Sequence, residues 1–68
     1  TMKPTNIMVW DECAQDRHGE EYRIWYVQLG DDEGEPIGTA YKHHNGDSAL
    51  ITAQNMSRDR RLPIEMGW

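Results

Sequence analysis

Short runs of β-favouring apolar residues, some alternating with polar ones at a period of two, recur along this chain between polar, glycine-bearing loops, the pattern of a small sheet. Ile7-Met8-Val9-Trp10 is a short strand-like run that stops at Asp11-Glu12. Asp16-Arg17-His18-Gly19-Glu20 follows as a polar hairpin loop. Residues 22–29 make the strongest strand signal, with Tyr22, Ile24, Trp25, Tyr26, Val27 and Leu29 all favouring β structure. Ile24 and Tyr26 point to one side, and Trp25, Val27 and Leu29 to the other, so both faces are apolar. Such a strand sits centrally, is covered by another element, or faces a second subunit. Residues 30–35 read as an acidic loop, and residues 37–43 as the next strand, with Ile37, Thr39 and Tyr41 on one face.

Asn45-Gly46 then predicts a tight hairpin, because both central residues of a type I′ turn need φ > 0. The returning strand is residues 49–53, with Ala49, Ile51 and Ala53 on one face. A helix over residues 48–60 is the alternative, since Ala49, Thr52, Ala53 and Met56 also have helical spacing and Asp47 or Ser48 could cap it. Residues 54–61 read as a helical turn or an irregular crossover, and Leu62-Pro63-Ile64 as a last edge strand. The expected fold is all-β or β-dominated: an antiparallel meander of four to five strands, able to curl into a partly open barrel. Residues 1–5 read as a disordered lead-in and residues 6–68 as a single small β domain, with no internal repeat. Trp10, Trp25, Val27, Leu29, Ile37, Ile51 and Leu62 are its expected interior.

With 68 residues, 37% of them apolar, and a mean hydropathy of -0.90, the chain is one domain near the lower limit for folding on its own core. A chain this short folds into a compact sheet or leans on a partner subunit. Cys13 is the only cysteine, which excludes an internal disulfide and favours a reducing, cytoplasmic setting. No apolar run has membrane-spanning length, and Lys3 leads into Pro4-Thr5-Asn6 rather than a secretory apolar stretch. The formal charge of -5 is uneven: up to Pro36 there are nine acids and three bases, and from Ile37 onward three acids and four bases. Acidity disfavours duplex DNA as a partner. It suits a basic protein surface, or solubility alone.

The candidate chemistry is sparse. Cys13, His18, His43 and His44 are the only soft metal ligands, and adjacent His43 and His44 point apart on a strand, so neither a metal nor another cofactor is expected. Ser48 and Cys13 lack a nucleophile elbow or an oxyanion-type glycine run, so no enzyme activity is expected. Asp31, Asp32, Glu33 and Glu35 lack calcium-loop order. They are solvated acids, or, with Asp11, Glu12, Asp16, Glu20 and Glu21, a row imitating phosphates. That mimicry requires the acidic loops to lie at one end of the molecule. Arg58, Arg60, Arg61 and Lys42, with Tyr41 as a stacking ring, form the candidate single-strand nucleic-acid surface; the plainer reading is a solvated loop. Trp10, Trp25, Trp68, Tyr22, Tyr26 and Tyr41 exceed what so small a core can hold, and Tyr22 and Tyr26 with Ile24 form a candidate protein-binding or self-association face.

Ile37, Gly38, Ala40, Tyr41, His43, Asn45, Gly46, Ile51, Arg61 and Leu62 together resemble a segment shared by small uncharacterised proteins of bacterial plasmids, integrative elements and phages. The resemblance spans 26 residues, with Ser48-Ala49 standing where that group has Gly and a larger apolar residue, and Ser57 and Arg60 replacing Pro and Gly. It implies a mobile-element accessory protein of the bacterial cytoplasm and transfers no catalytic residue. The expectation is therefore a non-enzymatic protein that binds, and inhibits, a host defence protein of the kind anti-CRISPR and anti-restriction proteins target. Asp31, Asp32, Glu33 and Glu35 would steer it and Tyr22 and Tyr26 would hold it; a homodimer is a further expected partner. The alternatives are a single-strand nucleic-acid module and a structural dimerisation module.

Overall fold

The computed structural model describes residues 3–67. Three long strands, β1 (Asn6–Gln15), β2 (Glu21–Gly30) and β3 (Pro36–His43), lead into one helix, α1 (Gly46–Arg60), and a short strand, β4 (Ile64–Met66). They form one sheet in the order β3-β2-β1-β4. β1–β2 and β2–β3 are antiparallel, whereas β4 runs parallel to β1. The fold is thus β-dominated as expected, but the sheet is mixed and open rather than an antiparallel meander or a barrel. Thr5, just before β1, donates its N–H to the Gly30 carbonyl at 2.8 Å. Trp68 and the first two residues of the lead-in lie outside the described residues.

The two hairpins share one device. Each begins with Asp and ends with Gly-Glu: Asp16-Arg17-His18-Gly19-Glu20 and Asp31-Asp32-Glu33-Gly34-Glu35. The Asp16 Oδ1 accepts the N–H groups of His18 (2.8 Å) and Glu20 (3.0 Å). The Asp31 Oδ1 accepts those of Glu33 and Glu35, both at 2.9 Å. Gly19 and Gly34 take φ of 82° and 83°, the left-handed conformation that closes such a turn at no steric cost. This repeated turn motif went unread in the sequence, because the two copies share side-chain roles rather than hydropathy.

The Asn45-Gly46 hairpin does not form. Asn45 is extended (φ -142°, ψ 153°) and its side chain accepts the Ser48 N–H at 2.7 Å, so it caps α1 instead of turning a ribbon. The strand expected over residues 49–53 is helical, and Ile51, expected inside, is 58% exposed. Side-chain size decides the outcome. Ala49 and Ala53 recur at i and i+4, and their methyl groups let the helix axis approach the sheet closely. Both are fully buried against Ile7, Val9 and Val27. The start of the helix is also pressed against the sheet, since a side chain at Gly46 would meet the Trp25 indole nitrogen at 3.3 Å.

Arg58 and Arg60 lie in the last turn of α1, where cations suit the helix dipole. Arg61 ends it in the left-handed conformation (φ 56°, ψ 46°), its N–H on the Ser57 carbonyl. A helix crossover returns the chain to the end it left, which makes the final strand parallel to β3 and hence to β1. The expected edge strand therefore exists, two residues later than Leu62, on the far side of the sheet.

Candidate functional site

α1 covers one side of the sheet only. Register assigns the sides: Ile7↔Leu29, Val9↔Val27 and Asp11↔Trp25 face the helix, and Met8↔Gln28, Trp10↔Tyr26, Glu12↔Ile24 and Ala14↔Tyr22 face away. Lys42 joins the open side opposite Tyr26, and Glu65 joins it opposite Met8. The open side is therefore an apolar stripe of Met8, Trp10, Ile24, Tyr26 and Tyr22 along the two central strands. Lys42 flanks it on the β3 side; Glu12 and Glu65 flank it on the other.

Trp10 and Tyr26 stack across the strands with ring centroids 5.3 Å apart and planes 16° from parallel. Trp10, expected in the interior, is thus half-buried on the uncovered side. Gln28 lies over the β3 irregularity, its Nε2 donating to the Gly38 carbonyl at 2.7 Å. At the β1–β4 end is a hollow of about 320 Å³ lined by Met8, Val9, Trp10, Glu65, Met66 and Gly67.

The stripe continues onto an arm. β3 pairs with β2 only as far as Trp25, and β4 pairs with β1 only as far as Val9. From there to the turn at residues 16–20 the sheet is a two-stranded ribbon, which gives the molecule its 43 × 22 × 18 Å extents. On the helix side of this arm Asp11 and Arg23 form an ion pair, and the carboxylate holds the Arg23 guanidinium above its ordinary pKa by hydrogen bonding and charge attraction. Tyr22 is 41% exposed on the opposite side.

The candidate residues from the sequence fall into separate places. Tyr22 and Tyr26 do share the open face, with Trp10 between the strands as an unforeseen third ring. Asp31 is buried and spent on holding its own turn, while Asp32, Glu33 and Glu35 are exposed at the sheet end opposite the arm. The turn at residues 16–20 is at the other end of β2, about 30 Å away for a strand of this length. The acidic loops therefore do not form the single surface that phosphate mimicry requires.

The basic set is also divided. Arg60 and Tyr41 line a hollow of about 270 Å³ on the helix side with Leu29, Ile37, Thr39 and Met56. Lys42 is on the other face of the sheet. Arg58 donates to Asn55 at 2.7 Å, and Arg61 is occupied in ending the helix. Among the described residues no three His, Cys, Asp or Glu side chains gather as a metal-ligand set. Among the described residues no helix is long and apolar enough to cross a membrane. Compared with known protein families, curated proteins and solved structures, the chain matches none.

Proposed function

We propose that the protein is a non-enzymatic protein-binding module whose docking surface is the open face of its sheet. The observation that carries this reading is the uncovered stripe of Met8, Trp10, Ile24, Tyr26 and Tyr22, a patch rich in the residue types that dominate interface hot spots. The exposed acids Asp32, Glu33 and Glu35 at one end add a preference for a basic surface, chiefly through encounter rate. The likeness of residues 37–62 to mobile-element proteins supports a bacterial cytoplasmic setting and a host defence protein as the target. Net charge and the separation of Lys42 from Arg58, Arg60 and Arg61 favour protein over nucleic acid.

The test compares capture of host proteins by the wild-type chain, by a Trp10→Ser/Tyr26→Ser variant, and by a Tyr41→Ala/Arg60→Ala variant on the helix side. Capture should disappear with the first variant and survive the second. Labelled single-stranded DNA at low salt should stay free. Binding that weakens steeply as salt rises would replace this reading with the nucleic-acid one.

A further inference from the structure

Resting on that reading of the open face as a protein-binding surface, we propose that a second copy of this chain occupies it, packed face to face with the strands of both sheets running the same way, and that the host protein meets the acidic end of the resulting dimer. Domains are ordinarily two or more packed layers around a shared core. Here the one core lies between α1 and the sheet and holds Ile7, Val9, Val27, Ala49 and Ala53, two of them alanines. Among the described residues, no layer lies above the apolar side chains of the other face. Small scaffolds commonly complete such a core by association.

The charges on the face select this pairing. A two-fold axis parallel to the strands lays β3 of one copy over β4 of the other, and β2 over β1. Tyr26 then meets the second copy's Trp10, and the reverse. Lys42 descends on the opposite flank, between Glu65 one row to one side and Glu12 one row to the other. Symmetry makes each contact twice. An axis across the strands, centred on the same row, would instead set Lys42 against Lys42.

The hollow at the β1–β4 end lies where Lys42 arrives. Its walls of Met8 and Trp10 suit the aliphatic stem of a lysine, and its carboxylate, Glu65, suits the ammonium. A face within a molecule 43 Å long and 22 Å wide can supply the roughly 800 Å² per partner of a standard interface. Aligned packing of two twisted sheets is an ordinary arrangement. It also brings the two turns at residues 31–35 to the same end, about 14 Å apart, from a sheet separation of about 10 Å and a lateral offset of two strand spacings. Their exposed Asp32, Glu33 and Glu35 then form one doubled acidic end, free to meet a basic partner.

Sedimentation of the full chain tests this, with circular dichroism confirming that each variant keeps its fold. The wild type should be a dimer. Lys42→Glu should weaken it by on the order of tenfold or more, as should Glu12→Lys/Glu65→Lys, and combining all three should restore it. A monomeric wild type overturns the second-copy inference; if its captured proteins are still lost with Trp10→Ser/Tyr26→Ser, the open face remains a docking surface for others. A dimer indifferent to Lys42→Glu, or not restored by the triple change, overturns the pairing. A dimer that survives Trp10→Ser/Tyr26→Ser has its contact elsewhere and overturns both readings.

Discussion

Asp31 and Asp16 have the same role in two turns, but their surroundings differ. Each carboxylate accepts two backbone N–H groups of its own turn, and only Asp31 is buried, at 8% exposure. Water can replace the lost acceptor at Asp16 and is largely excluded at Asp31. Asp31→Ala should therefore cost about 2 kcal/mol of stability and Asp16→Ala about 1 kcal/mol or less, read by urea unfolding. Equal costs would show that burial adds nothing there. Backbone conformation makes an opposed pair of expectations. Arg61 bears a Cβ at φ 56°, so Arg61→Gly should stabilise by about 1 kcal/mol. Gly38 sits at φ 74° in the β3 irregularity, and Gly38→Ala should destabilise by about as much.

Among the elements, α1 and the β1–β2 ribbon carry the sharpest expectations. Helix capping at Asn45 and close approach at Ala53 are separable. Asn45→Ala should cost about 1 kcal/mol through the lost cap. Ala53→Leu should cost about 1–3 kcal/mol through overpacking against the sheet. A hairpin at residues 45–46 would instead make Asn45→Ala a turn defect and leave Ala53→Leu mild. Just past β1, Asp16 donates its N–H to the Glu20 carbonyl across the hairpin, while on β1 Ile7 and Val9 turn their polar backbone groups toward the β4 side. Odd-numbered β1 residues beyond Val9 therefore point their N–H groups at a free edge. Hydrogen exchange should be fast at Asp11, Cys13 and Gln15 and slower at Glu12 and Ala14. Slow exchange at the first three would mean that a further strand covers this edge.

At the scale of the whole molecule, stability and association are one question. A core with three large buried side chains, Ile7, Val9 and Val27, leaves the isolated chain marginal. Any contact that covers the open face then adds directly to folding. For a dimer the midpoint of thermal unfolding must rise with protein concentration, and over about a hundredfold range the shift is readily measured by dichroism. An invariant midpoint would mean that the chain folds unaided. The outward arm belongs to this scale too. A lone two-stranded ribbon is marginal in water, so Ile24 and Tyr22 should become ordered in step with association rather than before it.

The sequence by itself determined the elements whose causes are local. The consecutive apolar residues Ile24, Trp25, Tyr26 and Val27 specified a strand with two apolar faces, and the tertiary structure placed it at the centre of the sheet. Glycine placement in Asp-x-x-Gly-Glu specified both hairpin turns, although the motif was not read as a repeat. Pro63 before Ile64 marked the edge strand. Residues 45–60 were decided only by tertiary structure, because Asn45-Gly46 can either turn a ribbon or cap and begin a helix, and Ala49, Ile51, Ala53 and Met56 satisfy both periods in part. What breaks the tie is non-local: the bare sheet surface of Ile7, Val9 and Val27, which two alanine methyl groups on a helix cover closely. The same choice leaves Trp10 and Tyr26 uncovered, since one short helix can shield only one side of a sheet.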